Sequence, residues 1–527
     1  MSSNVIKIKR ENIPSILTNT NENELNYYEK KYIENEMNDF VEKTTYSPVY
    51  SYLGMTPEFS LQEYVEKKTY NEYDFKDKEG NQLTCFKKYI TLVDYVKFLI
   101  GKYKNDNLAI LPKEGIQSED GLFQETIQSP HNYAYVDSFF YYLTHQLHKK
   151  GFVHGIQVYD SYVCIQKNVE INVADDFEYI CDSNYFNDKL NTLFHFKDET
   201  VFSKKEQAPI HISDENVELE MEELSASDNE SVASELSEAT IEATESVEES
   251  DNDSEVSHTD EEWEDESHSI ESMEEMIDLV LIIHEMPTQV VSLEKCENTI
   301  DHLLEKNDLL VEELESAMFQ VIAMLYTYQN LFDFTHNDLH TNNIMYIPTT
   351  EEFLYYKVRG KYYKIPTFGK IYKIIDFGRA IYKVNDKIMC SDSFSEHGMA
   401  YTQYNFEPFY NPQKPRILPN KSFDLCRLGC SIIDFIIDDL NDLDKFKKVP
   451  IYDLIISWIY DDNGVNVLYK KNGEDRYPDF KLYKMIARIV HNHVPETQFQ
   501  HACFEKYETA HLEVCMDLDE IIKTPVH

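Results

Sequence analysis

His336-Asn337-Asp338-Leu339-His340-Thr341-Asn342-Asn343 decides how this chain is read. The stretch follows a long helical pattern and precedes the apolar run Ile344-Met345-Tyr346-Ile347. Ile374-Ile375-Asp376-Phe377-Gly378 answers it from the far side of a hairpin. Phosphoryl transfer needs a base beside the attacking hydroxyl, metal ions bridging the phosphates, and a cation on the α/β-phosphates. Magnesium is hard and takes oxygen ligands, carboxylate and carboxamide among them. Asp338 suits the base. Asn343, five residues on, can turn back to ligate metal, and Asp376, closing a strand, suits the main metal carboxylate. Gly378 is expected to supply the sharp backbone change that follows. Each residue has a plainer reading alone: Asp338 as a turn residue, His336 as a hydrogen-bonded structural histidine, Asp-Phe-Gly as coincidence. The order and context of the whole set make it specific.

The chain has 527 residues, 42% of them apolar, enough for a sizeable core and for two or more packed units. Its net charge of −47 argues against nucleic-acid and anionic-membrane partners, because phosphate repels such a surface. The nine cysteines are scattered, with no C-x-x-C pair, as expected of buried reduced thiols. Met1–Lys7 has no apolar leader and no run approaches the length of a membrane span. A soluble, intracellular protein is expected.

Residues 1–45 are polar, with a helical pattern near Glu24–Val41. Gly54 marks a turn, and Thr84–Ile90 reads as a strand entering the core. Ala134–Lys149 reads as a helix stopped at Gly151. Ile156–Ile165 and Val169–Val173 read as two strands. From Glu206 to Glu294 there is no Lys or Arg, and Asp214–Glu275 holds 26 of the 96 acids, more than half of the net charge. Such a segment cannot bury enough apolar surface to order itself, so disorder is expected at about 206–275. Several hydroxyls there (Ser225, Ser227, Ser246, Ser250, Thr259 and Ser272) have an acid three residues on, a pattern suited to acidophilic kinases. The segment is read as a solvated loop or as a phosphorylation target or lure for basic partners. It ends at Ile277–Pro287, a buried-strand pattern closed by proline. The insertion therefore interrupts a folded domain between two strands, cheaply if it leaves and re-enters at neighbouring points. Helices are read at Cys296–Glu305, Glu312–Leu331, Ser422–Asp438, 450–460 and 478–492. A hairpin turns at Arg359-Gly360-Lys361, and Ile371–Ile375 is a strand.

The central stretch resembles the catalytic loop of eukaryotic-type protein kinases, and Asp376-Phe377-Gly378 resembles their magnesium-binding motif. Phe423-Asp424-Leu425-Cys426-Arg427-Leu428-Gly429 is similar to their first large C-lobe helix, whose buried acid, here Asp424, supports the loop. Phe86–Lys88 resembles the strand bearing the ATP lysine, with Lys88 the candidate and Lys87 the alternative. The 134–149 helix resembles the regulatory helix, and Asp137 would be its ion-pair acid where the family uses Glu. Glu285-Met286-Pro287 resembles the hinge that meets adenine. The Ile-Ile-Asp-Phe-Gly-Arg-Ala wording and His340 are similar to kinase-like proteins of giant DNA viruses, which implies host cytoplasm or virion.

The resemblance implies an α+β, two-lobed protein-kinase-like fold, with a small antiparallel sheet N-lobe and a mainly helical C-lobe. Residues 1–45 would be an extension, 46–284 the N-lobe with its acidic insertion, and 285–527 the hinge and C-lobe. It implies ATP and Mg²⁺ as cofactors and a protein substrate. The chain departs from the pattern in several places. No glycine-rich loop is legible, Asn337 replaces the arginine that reads activation-loop phosphorylation, and Ala-Pro-Glu is missing. His340 stands where ordinary kinases carry Lys and is no permanent cation. Three activities fit: a serine/threonine protein kinase, a small-molecule kinase, and a pseudokinase scaffold recruiting basic partners. His340 and the missing Ala-Pro-Glu favour the second. The missing glycine loop favours the third, and the complete base and metal set opposes it.

Overall fold

Period-two alternation in short aromatic and β-branched segments builds one antiparallel sheet. Its strands are β1 (Phe40–Thr44), β2 (Leu61–Lys67), β3 (Glu72–Asp77), β4 (Gln82–Thr91), β5 (Val158–Asn172), β6 (Phe194–Phe196) and β7 (Val280–Glu294). The order is β1-β5-β7-β4-β3-β2, with Val5–Ile6 outside β1 and β6 alongside β7. The computed structural model describes residues 5–6, 40–115, 121–198, 279–437 and 443–524. The described residues up to Lys197 and from Val280 onward form one compact unit of mixed α+β structure. The acidic stretch 206–275 and its hydroxyl pattern lie outside the described residues, as does most of the helix expected near Glu24–Val41. Where that pattern ends, Phe40 and Val41 belong to a strand paired with β5, not to a helix.

Three other expectations change. Residues 156–173 give one strand rather than two, because Asn168 carries the chain through at φ 51° and β5 continues on both sides. Asparagine is among the few residues that take this left-handed bend readily. The first helix after the sheet starts at Ile300 rather than Cys296, since Asn298–Thr299 pairs with Met345 and Tyr346. Strand β7 does not end at Pro287 but runs to Glu294. Beside β7, β4 covers 288–294 and β6 covers 281–283, so Pro287 falls where the neighbouring strand changes. A missing N–H costs little at such a break. The insertion leaves after β6 and returns at β7 on paired positions, Phe196 opposite Leu281, as its low closure cost requires.

Helix α1 (Tyr133–Lys149) is buried along most of its length. Phe140 joins the sheet side to the helical side. Its ring centroid lies 4.4 Å from Phe334, 4.6 Å from Phe377 and 5.7 Å from Phe332. Helix α2 (Val311–Phe332) follows the sheet, and α3 (Phe423–Ile436) and α4 (Phe480–Ile489) complete the part that matters to the site. Gly429 lets α3 pack closely, since a Cβ there would sit 3.0 Å from Trp458 Cβ, a tight contact. Between α2 and α3 come β8 (Ile344–Pro348), the β9–β10 hairpin (Phe353–Val358, Lys361–Pro366) and β11 (Lys370–Ile374), which pairs with β8. Arg359 and Gly360 both take positive φ, as a two-residue hairpin turn demands. The C-terminal residues, silent in sequence, bed this hairpin: Glu508–Thr509 pairs with β10 and Met516–Asp517 with β9. Among the described residues no helix is long and apolar enough to cross a membrane.

The two sides are tied by a buried ion pair. Lys373 Nζ on β11 lies 2.7 Å from Glu294 Oε1 at the end of β7, and also donates to the carbonyls of Val153 and Gly155 at 2.8 and 2.9 Å. All three ammonium protons are thereby used. Removing one partner strands a buried charge. Lys373→Met is expected to lower unfolding free energy by about 3–5 kcal/mol, read by urea denaturation. Adding Glu294→Leu is expected to recover part of that loss.

Candidate functional site

Strand alternation separates the two candidate lysines. Lys87 is buried on one face of the sheet, over the rings of Tyr64 and Tyr73, 4.0 and 4.1 Å from their centroids. Lys88 points to the other face, toward α1. Its Nζ lies 2.9 Å from Asp137 Oδ1 on α1 and 2.9 Å from Asp376 Oδ1 after β11. Asp137 Oδ1 also accepts the Phe377 N–H at 2.6 Å, and the Asp376 N–H donates to the Tyr141 hydroxyl at 2.9 Å. The Asp376 side chain is 52% exposed, in a cleft that Asp338 and Arg379 also line. The backbone turn expected at Gly378 falls on Asp376 itself, at φ 62°, and Gly378 is not at positive φ. Aspartate takes the left-handed region more readily than most residues, and the contacts of Phe377 with Phe140 and His336 hold it there.

Pairing of β8 with β11 brings the loop to Asp376. Ile344 pairs with Ile374, and the Ile375 N–H donates to the Asn343 carbonyl at 3.0 Å. From below, Asp424 on α3 accepts the His336 and Asn337 N–H groups at 2.9 and 3.0 Å. His336 Nε2 contacts the Ile375 carbonyl at 2.9 Å. Asn343 Nδ2 donates to the Asp338 carbonyl at 2.9 Å, and among the described residues its Oδ1 accepts nothing. Asp338 Oδ1 accepts the Tyr483 hydroxyl at 2.8 Å, and its Oδ2 lies 3.4 Å from Arg379 Nη1. Asn337 sits fully buried at φ 66°, donating to the Arg379 carbonyl and accepting the Tyr404 hydroxyl at 2.7 Å.

Charge follows from these contacts. Lys88 beside it holds the Asp376 carboxyl down to about 2. Burial pushes Asp137 up to about 6, with Lys88 opposing the rise. Asp424 is pushed up by burial to about 7, against its two backbone N–H partners. Burial lowers His340 despite the Asp338 charge, so at neutral pH it is not a cation. The cleft over these groups has a volume of about 480 Å³. It is lined by Asp338, Asp376, Arg379, Lys97, Tyr133 and Asp392 among others. Among the described residues no three His, Cys, Asp or Glu side chains cluster as a protein-only metal cage. Two oxygen donors, Asn343 Oδ1 and an Asp376 carboxylate, suit Mg²⁺, which keeps waters and binds through substrate phosphates.

Lys88, Asp137 and Asp376 thus meet in one ion-paired group, Asp338 and Asn343 share the loop that Asp424 holds, and Asp338 and Asp376 line the cleft. Glu285 and Pro287 do not. They sit mid-strand opposite Lys167 and Ile165, and Glu285 lines a different cavity with Phe98, Asp106 and His284. The chain leaves the sheet only after Glu294, so Lys295–Glu297 is where a crossover lies. The tight turn Lys68–Asn71 joins β2 to β3 without glycine, pinned to β4 by the Asn71 side chain donating to the Lys87 carbonyl at 2.8 Å. Sequence reasoning missed Arg379, Tyr404 and Tyr483. Arg379 adjoins Asp376-Phe377-Gly378 and could have been noticed, whereas Tyr483 lies 145 residues beyond Asp338 with nothing local to mark it. No family model matches the chain, and no curated protein matches it significantly.

The carboxyl of Asp137 binds its proton up to about pH 6 in the folded state, against roughly 4 when unfolded. Its contribution to stability therefore falls as pH rises through that window. Without Lys88 the Phe377 N–H is left to offset its desolvation and the window extends upward. Lys88→Met is expected to lower the melting temperature more at pH 8 than at pH 5, checked by thermal denaturation at both.

Proposed function

We propose that this chain is an ATP- and Mg²⁺-dependent phosphotransferase with a two-lobed, protein-kinase-like fold, acting on a serine or threonine hydroxyl of a protein. The observation that carries the reading is the Lys88 bridge. One ammonium links a sheet strand, the packed helix and the Asp376 turn, and Asp376 lines one cleft with Asp338 of the loop that also carries Asn343. In this reading Lys88 meets the α/β-phosphates of ATP, and the Lys68–Asn71 turn covers them. The Lys295–Glu297 crossover meets the base. Asn343 and Asp376 would hold Mg²⁺, which when bound neutralises phosphate charge. Asp338 accepts a hydrogen bond from the acceptor hydroxyl and orients it. A bond forms from that oxygen to the γ-phosphorus, the bond to the β,γ-bridging oxygen breaks to leave ADP, and the hydroxyl proton passes to Asp338.

Asn337 replaces a phosphate-reading arginine and is already engaged by Tyr404, which supports activity without phosphorylation of the segment after Asp376. A small-molecule acceptor is the second reading, favoured by the roughly 480 Å³ cleft, a volume typical of small-ligand sites. Asp338→Ala is expected to cut transfer by about 10²–10⁴-fold while ATP affinity is kept. Phosphorylation assays with labelled ATP, run beside calorimetric ATP titration, measure both, and unchanged transfer overturns the assignment.

A further inference from the structure

Helix α3 reaches the catalytic loop twice. Asp424 holds the backbone of the loop. Arg427, three residues on and on the same side of the helix, holds its side chain through an intermediary. Arg427 Nε lies 3.0 Å from the Tyr483 hydroxyl, which lies 2.8 Å from Asp338 Oδ1. The Arg427 guanidinium also lies over the Tyr483 ring, 5.1 Å from its centroid, and Arg379 approaches the same ring at 5.8 Å. The Tyr483 ring is fixed further by stacking on Phe480 at 5.5 Å and by Phe423 at 6.2 Å.

The direction of this relay is forced. Arginine has donors only and keeps its charge, so at Arg427 the phenol oxygen must accept. The single phenol proton then goes to Asp338 Oδ1. Burial raises the Tyr483 phenol, so it remains a donor through the neutral range. With Oδ1 committed, Oδ2, beside Arg379 at 3.4 Å, is the carboxylate oxygen left for an incoming hydroxyl.

Resting on the phosphotransfer reading, we propose that Tyr483, polarised by Arg427, is a positioning residue that fixes the orientation of the Asp338 carboxylate and leaves its Oδ2 for the acceptor hydroxyl. Losing that hydrogen bond frees the carboxylate to rotate out of line with the acceptor. The test is the steady-state kinetics of phosphoryl transfer by the whole chain. Tyr483→Phe keeps the ring and removes only the hydroxyl. Its kcat is expected to fall about tenfold with KM for ATP unchanged, as the loss of an interaction made only in the transition state requires. Arg427→Met leaves the phenol in place but unpolarised and lowers kcat by less, again with KM for ATP unchanged, so the inference stays testable if one variant fails to fold. An active wild type whose folded variants keep its kcat, or lose kcat together with ATP affinity, overturns this inference alone. A wild type that transfers no phosphate overturns the phosphotransfer reading and this inference with it.

Discussion

The site depends on one ammonium group held between two carboxylates. Lys88 has left most of its water, and Asp137 and Asp376 together offset that desolvation. Because the two acids come from different elements, the charge balance is also a mechanical link. It sets the depth of α1 against the sheet, and it fixes the turn at Asp376 through the Phe377 N–H that shares Asp137. Phe377 can then pack into the aromatic cluster around Phe140, where the sheet side meets the helical side. The left-handed backbone at Asp376 persists because ion pair, backbone hydrogen bond and ring packing all require the same position.

The loop opposite is braced rather than strained into place. Asp424 takes two consecutive N–H groups, and β8–β11 pairing fixes where Asn343 sits relative to Asp376. Asn337 uses its amide to join the loop to Arg379 and Tyr404. Every one of these contacts replaces a movable segment by a buried hydrogen bond, and buried hydrogen bonds are costly to break one partner at a time. Such a site is organised before any ligand arrives.

The parts of this arrangement legible in sequence are those whose geometry is local. Asp338 and Asn343 lie within one loop, and Asp376 follows a strand that pairs with the strand after Asn343, so a short pattern carries their proximity. Period-two alternation separates Lys88 from Lys87, though only the structure shows which face meets α1. Glu285–Pro287 misled because a proline usually closes a strand, and nothing in sequence reveals that the neighbouring strand changes beside it. The turn at Lys68–Asn71 carries no glycine to mark it. The hairpin at 353–366 was visible, but not that the C-terminal residues would pair with both its strands. Tyr483 reads as one aromatic in an amphipathic helix, and its role exists only in three dimensions.

The most direct test of the central claim is whether the full-length chain cleaves ATP at the γ-phosphate in a Mg²⁺-dependent way. ATP carrying a labelled γ-phosphate, incubated with protein and with separated protein and small-molecule acceptors, gives the measurement. The account predicts labelled acceptor and equimolar ADP with Mg²⁺ and neither with EDTA. ATP left intact under every condition would contradict it.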